Sequence, residues 1–148
     1  ISKIRYLAKA CGVDFVVLDH LHMALSSVGD ETTNDERKLI DYTVSKLRSL
    51  VEETGIGLIL VSHLRRSTEG DKGFEDGKQV TLSSLRGSQA IAQLSDLVIS
   101  MSRDLKSEKN IADIYILKNR FSGETGHACD LHFDLTTGCL SEIVNNDF

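Results

Sequence analysis

The 148-residue sequence has no proline and no tryptophan, and three tyrosines and five phenylalanines are its only large aromatic residues. Without proline, a Gly/Ser-rich tract, a low-complexity stretch or an internal repeat, nothing divides the chain, and one domain is expected over residues 1–148. Cysteine is equally sparse. Cys11, Cys129 and Cys139 make an odd set without CxxC spacing, which excludes a disulfide framework and a structural zinc site and leaves reduced, buried thiols as the expectation. No apolar run approaches the roughly 20 residues of a membrane-spanning helix, and residues 1–10 carry three cations but no signal-peptide core. A cytoplasmic protein without a membrane partner is expected. Cations are also in deficit, 17 Lys and Arg against 22 Asp and Glu for a net charge of −5, so any nucleic-acid contact must come from a local basic patch. An initiator methionine and an N-cap before the first helix are both missing, which leads us to expect a segment of a longer protein.

What is present reads as an alternation of helix and strand. Ile1, Ile4, Leu7, Ala8 and Cys11 form a helical stripe that ends at Gly12. Asp14-Phe-Val-Val-Leu-Asp19 is an apolar run too short for a helix and suits a strand buried on both faces of a parallel sheet. Thr33 and Glu36 fit a capping box, after which Ile40, Val44, Leu47 and Val51 share one helical face until Gly55. A second buried strand is expected over residues 56–62, and a mobile charged loop over 64–80. Ser83 or Ser84 is placed to cap a short helix containing Leu85, Ile91 and Leu94. Strands over 97–101 and 113–119 follow, then a hairpin of residues 128–135 and 139–143 around Thr136-Thr137-Gly138. The expected class is α/β, with a mostly parallel sheet flanked by helices and a C-terminal antiparallel hairpin.

Ligands of a parallel sheet sit beyond the carboxyl ends of its strands, where this sequence places Asp19, His63, Arg103, Lys118 and Arg120. One acid, one imidazole and three cations on one edge suit a metal-bound polyphosphate. Phe15-Val-Val-Leu-Asp19 has the form of a Walker B strand, whose carboxylate holds the water shell of Mg2+, although a turn aspartate after any strand looks the same. His63 is placed to sense a phosphate or to be a core histidine, and Arg65 and Arg66 follow it directly. Leu85-Arg-Gly-Ser-Gln-Ala90 joins Arg86 and Gly87 at a helix start that favours an anion, or is a surface turn. Lys118 and Arg120, two residues apart, are expected on the same side of their strand, as a phosphate clamp or a solvated edge. His20, His22, His127 and His132, with Cys129, offer no ligand quartet and no expected metal site.

Together, Val16-Val-Leu-Asp-His20, Asp35-Glu-Arg-Lys38, Ser62-His-Leu64, Leu85-Arg-Gly-Ser88, Gln93-Leu-Ser-Asp96 and Ile116-Leu-Lys-Asn-Arg-Phe-Ser-Gly123 resemble the RecA-like motor of hexameric replicative DNA helicases. The likeness covers nearly the whole chain and is nearest to phage-type primase-helicases and Twinkle-like enzymes in the DnaB group. It implies an NTP-driven helicase translocating on single-stranded DNA, with Mg2+ as cofactor and ATP or dTTP as substrate. A hexameric or heptameric ring is implied, with a primase domain and a DNA polymerase as partners, in the host cytoplasm for a phage protein. Asp19 is then the Walker B carboxylate that holds Mg2+ through water, and His63 the phosphate sensor. Arg65, Arg66, Lys72, Lys78, Arg86 and Gly87 would line the channel and hold DNA by its backbone. Lys118 and Arg120 would act in trans on the neighbouring subunit's γ-phosphate, while Arg103 and Phe133 match positions that sandwich the base.

Two departures qualify the resemblance. Gln89 and Ala92 stand where close phage relatives carry a small residue and an additional arginine, which implies fewer DNA contacts. No GxxxxGK[ST] phosphate loop occurs in these residues, and the family's water-activating glutamate lies upstream, so a partial motor domain with little or no hydrolysis of its own is expected. The other readings are a RecA- or KaiC-like ATPase, recombinase or regulatory, and a non-catalytic module that docks into a ring.

Overall fold

The computed structural model describes residues 1–26, 36–64, 73–74, 78–85 and 89–143. They fall into two compact units, Ile1–Arg65 with Leu85–Leu94, and Arg66–Ser84 with Ser95–Phe148.

The first unit is built on helix α3 (Glu36–Thr54), whose buried residues Ile40, Thr43, Val44, Leu47 and Leu50 recur at helical spacing. Around it pack Ile4 of α1 (Ser2–Ala10), Leu21 and Leu25 of α2 (Leu21–Ser26), Ile56, and Ile91 of α4 (Gln89–Leu94). Gly55, at φ +73°, ends α3 in the left-handed conformation that a β-carbon disfavours. Arg5 and Lys9 of α1 both reach Glu53, whose carboxyl is held below its usual range first by the Lys9 hydrogen bond and then by Arg5. Two strands, β1 (Phe15–Leu18) and β2 (Gly57–Leu60), pair in parallel with Phe15 opposite Gly57. A β-carbon at residue 57 would meet the ring of Phe15, so a larger residue there requires that exposed ring to move aside.

Burial of the first strand differs from expectation. Val16 and Leu18 pack on the core, whereas Phe15 and Val17 are exposed, so among the described residues β1 is covered on one face. Helix α2 has no counterpart in the sequence reading, its six residues being too few to show a period. The capping box at Thr33 lies outside the described residues. Leu85 does not enter a helix: Leu82–Ser84 form a 3-10 turn in which the Thr81 amide donates to Ser84 Oγ, and Leu85 bridges Leu64 before α4 begins at Gln89.

The second unit is an antiparallel meander of β3 (Leu97–Arg103), β4 (Ile111–Asn119), β5 (Gly126–Phe133) and β6 (Leu140–Glu142). The α/β class stands, but the strand directions are distributed differently, because the parallel pairing described is confined to β1 and β2. Residues 104–110 join β3 to β4, too few for the roughly dozen residues of a parallel crossover, so these strands return on one another. The expected final turn is built by Asp134, which accepts from the amides of Thr136 and Thr137 and from the Thr137 hydroxyl, with Gly138 at φ +71°. All three cysteines are exposed rather than buried: Cys11 is the C-cap of α1, Cys129 lies in the exposed first part of β5, and Cys139 follows the final turn. No described helix is long and apolar enough to cross a membrane.

Candidate nucleotide site

Parallel pairing brings the carboxyl ends of β1 and β2 side by side. The Val61 amide donates to the Leu18 carbonyl at 3.0 Å, and the Leu21 amide donates to the Val61 carbonyl at 3.0 Å. These two bonds bring Asp19 and His20 alongside Ser62 and His63. The His20 and His63 rings lie 4.1 Å apart between centroids, and His22 completes a cluster at 6.0 Å from His20 and 5.8 Å from His63. His20 Nδ1 is 3.9 Å from Asp19 Oδ1, and His22 Nε2 is 3.5 Å from Glu36 Oε1. Asp19 keeps a side-chain exposure of 74%, so its carboxylate faces water.

An exposed single carboxylate beside imidazoles fits a magnesium ion that retains its waters and does not fit a cage made wholly of protein ligands. Ser62 Oγ, buried beside this edge without a partner among the described residues, is a further polar group available there. Asp19 and His63 thus arrive at one strand edge, as expected from their positions at the strand ends. His20 and His22 were missed as members of that edge; the alternation His20-Leu-His22 directly after a strand was the available signal.

In the second unit, Arg103 ends β3 and Phe133 ends β5, with β4 between them. The guanidinium carbon of Arg103 stands 3.9 Å from the Phe133 ring centroid, a direct cation–π stack. A base between the two groups would need that gap roughly doubled, so the described conformation is a closed stack. Arg103 Nη1 is buried and has no hydrogen-bond partner among the described residues, which leaves a charged donor available to a polar ligand.

Lys118 lies within β4 opposite Val98, whereas Arg120 falls just past the strand, so the two-residue strand period does not reach it. Arg120 is instead held by Asp96: its amide donates to the Asp96 carbonyl at 2.8 Å, and its Nη1 donates to Asp96 Oδ1 at 3.0 Å. Asn119 shapes the turn, accepting at Oδ1 from the amides of Phe121 and Ser122 and leaving Phe121 82% exposed. This role of Asn119 was not apparent from the sequence. Of the expected DNA contacts, Arg65, Arg66, Lys72, Arg86 and Gly87 lie outside the described residues. Lys78 is described, with its ammonium 5.8 Å from the Phe74 ring centroid.

Residues 1–140 match the model of the DnaB-like helicase C terminal domain. The chain belongs to that family. Among relatives, a DNA helicase/primase of Enterobacteria phage T3 is 36% identical over 141 residues, covering 95% of this chain and 24% of its own length. A probable plasmid replicative DNA helicase of Chlamydia trachomatis is 32% identical over 142 residues, covering 96% and 29%. Among solved structures, a DnaB-like replicative helicase superposes with a TM-score of 0.74 at 24% identity, covering 96% of this chain and 34% of that one. A solved ATPase domain superposes with a TM-score of 0.73 at 25% identity, covering 97% and 50%. The chain thus spans about a quarter of the length of the curated relatives it matches. The fold is that of a RecA-like helicase ATPase domain, and membership of the DnaB-like family does not favour the recombinase or regulatory-ATPase readings.

Proposed function

We propose that this DnaB-like chain works as part of an NTP-driven replicative helicase, in a hexameric or heptameric ring that translocates on single-stranded DNA. The observation that carries the reading is the meeting of Asp19 and His63 at the carboxyl ends of two parallel strands in a chain of this family. Asp19 would hold Mg2+ through water, and the ion would neutralise charge on the phosphates of ATP or dTTP. His63 donates a hydrogen bond to the terminal phosphate and passes its position to the chain that follows, Arg65 and Arg66. Arg103 and Phe133 contact the base, with the orphaned Arg103 Nη1 as a hydrogen-bond donor to the nucleotide. Lys118 and Arg120 reach the γ-phosphate bound by the adjacent subunit. Arg65, Arg66, Lys72, Lys78, Arg86 and Gly87 hold the DNA backbone, a contact that requires no overall positive charge. A primase domain and a polymerase are the partners the reading carries, in the cytoplasm of the host for a phage-encoded protein.

The test mixes full-length subunits bearing Arg120→Ala with subunits bearing Asp19→Asn, each of which should hydrolyse NTP far more slowly than wild type by itself. A finger acting in trans creates some interfaces with an intact site and an intact finger, so mixed rings recover activity. Recovery is absent if Arg120 serves its own subunit, and that result, with mixed assembly demonstrated and a wild-type doping control active, overturns the trans assignment.

A further inference from the structure

Strands β4 and β5 pair with Asp113 directly opposite Asp130, and a register shift between Ile114 and Tyr115 brings His127 opposite Tyr115. Like charges facing one another across an antiparallel pair repel, so this register is costly unless a positive charge or a proton joins the carboxylates. The bulge supplies a third donor. His127 Nε2 lies 2.5 Å from Asp130 Oδ1, and one ligand atom each from Asp113, His127 and Asp130 falls within 4.8 Å of the other two. The Tyr115 ring meets His127 edge-on, with 5.2 Å between ring centroids. Asp113 is half-buried, and its carboxyl is pushed above the usual range first by burial and then by the charge of Asp130.

We propose that Asp113, His127 and Asp130 form a binding site for a divalent transition ion of the zinc class. One imidazole nitrogen and two carboxylate oxygens make a donor set that zinc accepts and that magnesium, which prefers oxygen and its own waters, does not favour. Three protein ligands leave a position for water. Zinc bonds of about 2.0–2.2 Å put ligand atoms roughly 3–4 Å apart, a spacing comparable to the 4.8 Å within which these three atoms already lie. The ion ties β4 to β5, the strand pair that ends in the Asn119 turn presenting Arg120, and so stiffens the base of that turn.

Full-length protein stripped by a chelator is titrated with zinc chloride alone in competition with a chromophoric chelator, and its melting temperature is followed in parallel. The wild type binds one more zinc per chain than Asp113→Asn or His127→Ala, or binds it at least tenfold more tightly, and zinc raises the wild-type melting temperature more than that of either variant. His132→Ala, on the same strand, retains the wild-type behaviour. Asp130→Asn nearly preserves shape while removing the repulsion, so it decides the matter if His127→Ala does not fold. Identical zinc stoichiometry, affinity and thermal shift in wild type, Asp113→Asn and Asp130→Asn overturn the proposal and assign the cluster to a proton shared between the carboxylates.

Discussion

Arg120 is tied to Asp96 by a side-chain bond and by a backbone bond, and the two contribute separately. Asp96→Asn removes the ion pair and leaves the backbone bond, so the turn keeps its place. The side chains are 50% and 34% exposed, which puts the pair in the partly solvated class that contributes about 0.2–1 kcal/mol. That energy corresponds to a change of roughly 1.4- to 5-fold in the population of released guanidinium. If Arg120 must leave Asp96 to reach a neighbouring subunit, Asp96→Asn raises the DNA-stimulated NTPase kcat of assembled full-length rings by at most about fivefold. The gain should shrink at high salt, which screens an exposed pair in the wild type as well. If Arg120 is a finger acting in trans, Arg120→Ala should behave differently, losing on the order of 10³ or more in rate. A loss in Asp96→Asn as deep as in Arg120→Ala would instead mean that Arg120 works while held by Asp96.

Leu50 is 1% exposed in the middle of the first unit's core, so Leu50→Ala should cost about 2–5 kcal/mol in equilibrium denaturation; a cost below about 1 kcal/mol would show that the α3 face is not the packing centre. The Asp134 carboxyl is held below the usual 3.8 first by the Thr136 amide and then by the Thr137 hydroxyl. A depressed folded-state pKa adds stability above the unfolded value and loses it as pH falls through the folded one. The melting-temperature advantage of wild type over Asp134→Ala should therefore persist at neutral pH and narrow below pH 3.8, and an advantage that grows with acidity would contradict the assignment.

The local parts of the fold were legible in the sequence because their signals are periodic. The α3 stripe and the short apolar runs of β1 and β2 follow from spacing alone, and they place Asp19 and His63 at strand ends. Direction was not legible for β3 and β4, since an apolar run looks the same whichever way it pairs; the short 104–110 connection was the overlooked clue. The Arg103–Phe133 stack joins residues on β3 and β5 and has no local pattern, so only the family resemblance pointed to it. Residues Asp113, His127 and Asp130 likewise meet through strand register and a bulge, which spacing along the chain does not encode.

The proposed function stands on Asp19 as the metal-ordering carboxylate of an NTP-hydrolysing motor. Its most direct test is the Mg2+-dependent, DNA-stimulated NTPase rate of the full-length protein carrying Asp19→Asn, measured beside its nucleotide affinity and its melting temperature. Turnover should be abolished with the fold intact and nucleotide affinity far less affected, as expected of a carboxylate that orders a metal's water shell. Near-normal turnover in Asp19→Asn would contradict that role.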